Sequence, residues 1–314
     1  MFDLGALSAA VAVEGRVARV VIAAHDGSSP RETGAAMLVW GTGQSGTIGG
    51  GALEYEAVTR ARAMLAAGGA RLDREALGPK LGQCCGGAVS VLTEVYAAED
   101  LARLEGQAVI ARPIAAAAEM PLAVRRLLNT ARSTGVAPSA RLVHGWMIEP
   151  LAAPSRQLWV WGAGHVGRAI IGVLSPLPEF ALTWVDCAAD RFPETIPAGV
   201  VQLYAATPAD LVAHAPRDAE HLVLTYSHAL DLELCHRLLL HGFAELGLIG
   251  SQTKWARFRS RLKGLGHSAP LIGRILCPIG DPTLGKHPQA IALGVATTLL
   301  KHTSASTSAK ERAI

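Results

Sequence analysis

The sequence predicts an α/β protein: an N-terminal α+β domain over residues 1–153, a doubly wound parallel-sheet domain over 154–303, and a disordered tail over 304–314. Three observations carry this. A chain of 314 residues, half of them hydrophobic, has the length of two domains and the material for packed cores. Strand-like and helix-like runs alternate through the second half at the spacing of βαβ units. Gly162-Ala163-Gly164-His165-Val166-Gly167 follows one such strand and opens a helix.

In the first half, residues 16–24 (RVARVVIAA) and 35–40 (AAMLVW) are β-branched, apolar strand runs. Between them HDGSSPRETG is dense in turn residues. GTGQSGTIGGG (41–51) is a glycine loop entering a helix over 53–67, which stops at Gly68-Gly69. A second glycine cluster, LGQCCGG (81–87), precedes a strand at 88–96. Further strands are read at 108–114 and 141–151, with a helix near 121–133 between them. AAPSR (152–156) is the linker. Strands then fall at 157–162, 180–186, 200–204, 221–226 and 244–250, and helices at 165–174, 230–241, 251–264 and 287–302. The polar end, TSASTSAKERAI, is read as frayed.

Composition excludes several classes. A formal charge of +3 is too balanced for a general nucleic-acid binder. Five cysteines with no CxxC pair exclude a disulfide framework and a four-cysteine zinc site, and point to a reducing compartment. Asp3 stands where a signal peptide carries Lys or Arg, and no apolar run is long enough to span a membrane. A cytoplasmic protein is expected.

Candidate ligand residues follow from the glycine runs. In the fingerprint, Gly162 permits the tight turn, Gly164 lets backbone approach a phosphate, and Gly167 lets helix and strand pack closely. Exposed N–H groups and the helix dipole favour an anion there, and His165 either donates a hydrogen bond to it or faces solvent as an ordinary helix residue. Asp186, 19 residues after Gly167, stands where dinucleotide folds place a ribose acceptor. A dinucleotide and a phosphate-bearing pterin both satisfy this pattern. Gly49, Gly50 and Gly51 at a helix entry form either a second anion nest or a flexible hairpin loop. Arg31 lies in a neighbouring loop, either as an anion contact or as a solvated residue. Cys84-Cys85-Gly86-Gly87 is a glycine turn whose N–H groups stabilise thiolate, so Cys84 and Cys85 are candidate functional thiols for sulfur transfer or a soft metal. Cys187, Cys235 and Cys277 read as structural. His228 reads as a loop histidine and Asp231 as a helix-start residue. Lys254, Arg257 and Arg261 form a basic helical face, solvated by default.

Taken together, GSSPRETG, GTIGGGALEYE, GQCCGG and WVWGAGHVGRA, followed by TYSHALD, IGSQTKWARFRSRL and CPIG, resemble the xanthine dehydrogenase accessory proteins of the XdhC/CoxI type, over about residues 16–300. The resemblance implies a molybdenum-cofactor chaperone with a Rossmann-like second domain. It implies transient binding of the molybdopterin form of the cofactor and support for its sulfuration, with an L-cysteine desulfurase as sulfur source. It further implies delivery to a xanthine dehydrogenase apoenzyme in purine catabolism, by a maturation factor more than a stand-alone enzyme. Any contact of Cys84 or Cys85 with metal is through the cofactor's molybdenum. Where the family commonly has Thr-His and then an acidic residue, this chain has Thr225-Tyr226-Ser227-His228. Its Pro278-Ile279-Gly280-Asp281-Pro282 also departs from the family's Pro-Ile-Gly-Leu. An NAD(P)-dependent oxidoreductase is the alternative, and a ligand-responsive regulator a third. The first lacks an evident proton donor, the second a DNA-binding module, and the oxidoreductase leaves the Cys-Cys-Gly-Gly loop without a role. A homodimer is the ordinary assembly.

Overall fold

Strand β1 (Val17–Asp26) organises the first half of the chain, because both of its faces are covered. A computed structural model describes residues 1–78, 87–115 and 119–311, with side chains as far as Lys301. The chain divides into two units, Met1–Ala152 and Ala153–Ile314. In the first, α1 (Leu4–Glu14) precedes β1, and β2 (Ala36–Val39), β3 (Gln44–Gly46), α2 (Gly51–Met64), β4 (Ala70–Ala76) and β5 (Ala88–Tyr96) follow. These strands form an antiparallel sheet in the order β3-β2-β1-β5-β4. After the short α3 (Ala98–Leu101) come β6 (Val109–Pro113), α4 (Leu122–Thr134), β7 (Arg141–Val143) and β8 (Trp146–Pro150), which make a second antiparallel sheet, β6-β8-β7.

Side chains of a strand alternate between faces. Ala18, Val20 and Ile22 therefore meet Leu53, Ala57 and Ala61 of α2, while Val21 and Ala23 meet Met147 of β8. Arg19 shares that second face. Its guanidinium grips Glu149 at 2.9 and 2.7 Å, Arg112 joins Glu149 to Glu94 at 2.6 Å each, and the Phe2 ring lies 4.3 Å from the Arg19 guanidinium carbon. Burial alone would raise the Glu149 pKa, but the two guanidiniums hold it below the ordinary carboxylate value.

Several elements of this unit differ from the sequence reading. Residues 141–151 form a hairpin and not one strand. His144 and Gly145, at φ 48° and 77°, make its two-residue turn, a His-Gly in place of the commoner Asn-Gly signal. β4 escapes notice because it is a largely exposed, polar edge strand. Helix α1 is announced by its cap alone: the Asp3 carboxylate accepts the Ala6 N–H at 2.8 Å.

The second unit contains β9 (Arg156–Trp161), α5 (His165–Leu174), β10 (Phe180–Asp186), β11 (Val201–Tyr204), β12 (Glu220–Val223), α6 (His228–His241), β13 (Glu245–Leu248), α7 (Gln252–Gly264), α8 (Ala269–Ile272), β14 (Ile275–Leu276) and α9 (Pro288–Glu311). Its sheet runs β11-β10-β9-β12-β13-β14, and the pairings are parallel. Chain progress reverses between β9 and β12, and ligands of such sheets bind outside the strand carboxyl ends at that point. Leu158 and Val160 face α5 and α9, whereas Trp159 and Trp161 face α6 and α7, so both faces are covered. β12 ends at Val223 and not at 226, and a 3-10 helix over Pro208–His214 leads into it. The backbone of α9 continues to Glu311, past the tail expected from 304, since no Gly or Pro interrupts 295–311 to stop it.

Candidate functional site

The β9–α5 turn is fastened on every side but one. Gly162 has φ 129°, and a Cβ there would lie 2.5 Å from the Leu224 carbonyl oxygen. A Cβ on Gly167 would strike the Gly162 carbonyl. That carbonyl accepts the Trp184 indole N–H at 3.0 Å, and the Ala163 carbonyl accepts from Arg168 at 3.1 Å. Both outer glycines are demanded by packing. Gly164 is different: its φ is −72° and a Cβ would meet no protein atom. The space above it is a cleft of about 290 Å³ lined by Ala163, Gly164, His165, Arg168, Asp190 and Arg191. The Arg191 guanidinium carbon stands 5.2 Å from the Tyr226 ring, and its buried Nε forms a long ion pair with Asp186 at 3.5 Å. A helix N-terminus, two arginines and an imidazole surround this uncrowded glycine, with the Asp190 carboxylate on the same lining, an arrangement able to take an anion at the helix N-terminus.

Asp186 takes another role than the expected ribose acceptor. It is buried, and its two oxygens accept the Ala163 N–H at 2.5 Å and the Cys187 N–H at 2.7 Å. The carboxylate shapes the glycine turn from within. His165 is exposed at the cleft rim, and His228 is exposed as the first residue of α6.

In the first unit, the glycine loop before α2 holds an anion of the chain's own through Gly50 and the preceding Ile48, while the Gly49 N–H donates to the Thr47 hydroxyl at 3.0 Å. One oxygen of Glu54 accepts from the Ile48 N–H at 2.9 Å, the Gly50 N–H at 3.0 Å and the Thr47 hydroxyl at 2.5 Å. The other accepts from Gln44 at 3.2 Å. Burial pushes the Glu54 pKa up, but these hydrogen bonds outweigh it and leave the carboxyl below its ordinary value. Gly49, at φ 123°, lies against Pro30, so the SSPR loop does neighbour this one. Arg31 forks onto Glu32 at 3.1 Å. Gly51 opens α2.

Three motifs of the second unit converge at the strand carboxyl ends. Thr225 follows β12, Ile249-Gly250-Ser251 follows β13, and Cys277-Pro278-Ile279 follows β14. Asp231 and Lys254 join the first two. Lys254 Nζ donates to Asp231 at 2.6 Å and to the Ile249 carbonyl at 2.8 Å. Asp231 also accepts from the Thr225 N–H at 2.9 Å and its hydroxyl at 2.8 Å. Lys254 is thus no part of a solvated basic face. It lies on the inward i, i+4, i+8 stripe with Phe258 and Leu262, while Arg257 and Arg261 are exposed. Asp231 does more than start a helix, since Ser227 is the cap and Asp231 is buried behind it.

Cys84 and Cys85 lie outside the described residues. Of the described cysteines, Cys235 is fully buried and Cys187 and Cys277 are half-buried. Burial raises all three thiols, Cys277 to about 11, which keeps them protonated. Among the described residues no group of three or more His, Cys, Asp or Glu could hold a metal, and no helix is long and apolar enough to cross a membrane. His221 in β12 was not singled out in the sequence. It is buried against Trp161, whose indole N–H donates to its Nδ1 at 3.2 Å, and burial, assisted by His241, lowers its pKa to about 3.

The strand order and the glycine turn before α5 define the second unit as a Rossmann-type domain. Residues 158–299 match the family model described as the XdhC Rossmann domain, and residues 10–75 match that of the XdhC and CoxI family. The chain belongs to this family, the xanthine dehydrogenase accessory proteins of XdhC type. It is 29% identical over 141 residues to the uncharacterized protein YqeB of Escherichia coli (strain K12), matching 45% of this chain and about a quarter (26%) of that relative's length. A solved structure described as a xanthine dehydrogenase from Bacillus halodurans superposes with a TM-score of 0.73 at 19% identity, covering 97% of this chain and 96% of that one. This second likeness is one of fold.

Proposed function

We propose that this protein is a maturation factor that binds the molybdopterin form of the molybdenum cofactor and supports its sulfuration and insertion into a xanthine dehydrogenase apoenzyme. The observation that carries this reading is the open Gly164 cradle in a chain of this family. The residues fit a phosphate group: Gly164 leaves room for it, the α5 N-terminus and Arg168 supply charge, and the Arg191 guanidinium lines the same cleft, held on one side by its ion pair with Asp186. When bound, the cofactor supplies a molybdenum centre able to carry a sulfido ligand. Cys84 and Cys85 are the proposed thiols for handling that sulfur, delivered by an L-cysteine desulfurase. The same geometry counts against the nicotinamide reading, since Asp186 spends its carboxylate on the turn and not on a ribose.

Anaerobic purification from cofactor-producing cells, with assays of bound molybdenum and of oxidised pterin fluorescence, tests the reading. Both should be retained, and Cys84→Ser or Cys85→Ser should lower retention or reconstitution of xanthine dehydrogenase activity. Cys235→Ser serves as the buried control. Saturable NADH or NADPH binding without retained pterin overturns the proposal.

A further inference from the structure

We propose that a second cleft, at the carboxyl ends of β13 and β14, holds the flat heterocycle of the ligand whose phosphate sits at Gly164. This placement rests on the maturation reading above and deepens it. The cleft measures about 440 Å³, inside the range of roughly 300–1,000 Å³ usual for small-molecule sites. Ile249, Pro278, Ile279 and Ile291 line it with apolar surface, while Gln252 and Lys286 stand at its edge.

Its surfaces are set before any ligand arrives. The floor is fixed where Lys254 grips the Ile249 carbonyl and, through Asp231 and Thr225, ties the end of β13 to that of β12. A buried ion pair costs desolvation that an apolar pair would avoid. Here it holds two strand ends at a fixed spacing. The wall is the loop after Pro278. Asp281 accepts from the Thr283 N–H at 2.9 Å and its hydroxyl at 2.6 Å, and Gly294 of α9 comes so close that a Cβ would lie 2.8 Å from the Asp281 nitrogen.

The occupant's chemistry follows from the lining. Apolar side chains accept the face of an uncharged ring. The Gln252 amide offers its N–H donors and its carbonyl acceptor to the ring's edge, and Lys286 favours an anionic substituent. Distance links the two clefts. β13 and β14 lie two and three strand spacings from β9, roughly 10–14 Å at 4.8 Å each. The nearer of these matches the span from the phosphorus to the far edge of a fused pterin ring system joined to it by a single CH2–O unit. His165 and Arg168 also line a groove that continues to His287, next to Lys286, so basic side chains mark the way.

The test uses the full chain prepared without cofactor and two probes: fluorescent pterin-6-carboxylate for the ring end and inorganic pyrophosphate for the phosphate end. The parent should bind both. Gln252→Trp, at an exposed position, should fill the cleft and weaken pterin-6-carboxylate at least tenfold with unchanged pyrophosphate binding and melting temperature. Lys286→Ala should weaken the same probe less. Gly164→Val should show the opposite pattern. Parent-like pterin-6-carboxylate binding by Gln252→Trp, or no binding by the parent, overturns the placement. If parent and Gln252→Trp retain molybdenum cofactor equally, the placement fails and the maturation reading stands. If ring binding responds to Gln252→Trp in a protein that retains no cofactor from cells, the placement stands and the maturation reading fails.

Discussion

The two glycine loops read alike in sequence and differ in what meets their N–H groups. At Gly49–Gly51 the chain supplies its own anion, Glu54. At Gly162–Gly167 the internal carboxylate, Asp186, takes one N–H from beneath, and the outward side at Gly164 stays open between Arg168 and Arg191. A cluster of backbone donors shows that an anion belongs there. Whether that anion is a side chain or a ligand depends on what the fold delivers to the same spot. The first loop is therefore clasped by the chain's own carboxylate, and the second is the one proposed to take a ligand.

The sharpest way to break this contrast is within the second loop. Gly162→Ala places a Cβ against the Leu224 carbonyl at a φ that L-residues resist. Strain and overpacking together should cost roughly 3–5 kcal/mol in denaturant unfolding. An unchanged midpoint would show that the turn can shift and that packing does not demand glycine there.

Acid should separate the loops' surroundings next. His221 stays neutral when folded down to about pH 3, whereas the unfolded chain takes up a proton below about pH 6.5. Stability of the second unit should fall by about 1.4 kcal/mol per pH unit between those limits and be flat above them. His221→Phe should remove that slope when unfolding is followed against pH. Glu54, with its pKa below ordinary, instead contributes stability that is present above the unfolded carboxyl value and lost as pH falls through the folded one.

Removing the clasp is a smaller perturbation. Glu54→Ala should cost about 2 kcal/mol, the scale of hydrogen bonds to a charged group. It should also let the first loop bind sulfate, visible as a sulfate-dependent rise in melting temperature that the parent lacks. No such rise would mean that the nest collapses without its carboxylate. Smallest in stability is Gly164→Ala, expected within about 0.5 kcal/mol of the parent because no protein atom is near. Its effect belongs to ligand binding, and equal losses of stability and pyrophosphate binding would return this glycine to a purely structural role.

Much of this was legible in the chain. β9, β10 and the helices between strands announce themselves through apolar runs and glycine breaks, since strand and helix periodicity are properties of near neighbours. The glycine spacing marked the tight turn before α5, where Gly162 and Gly167 are required by packing. Arg191 was missed because nothing within its own short 3-10 turn distinguishes it from a solvated arginine. Lys254 reads from the chain as part of a basic face because a three-residue spacing to Arg257 is as good as a four-residue spacing to Phe258 until a neighbour covers one side. Arg19 and Glu149, 130 residues apart, carry no local signal of their pairing.

The two-part α/β architecture, the tight glycine turn before α5 and the family can all be read from the chain alone. Each rests on patterns of a few to a few dozen residues whose backbone preferences act locally. Tertiary structure alone decided which nest is filled by Glu54 and which is open, that Asp186 turns inward, and that Asp231 and Lys254 bind two strand ends into the floor of a cleft. Those outcomes depend on which charged group arrives beside which backbone donor or partner after folding. Burial makes an unpaired charge costly, so the fold selects pairings that adjacency in the chain does not record.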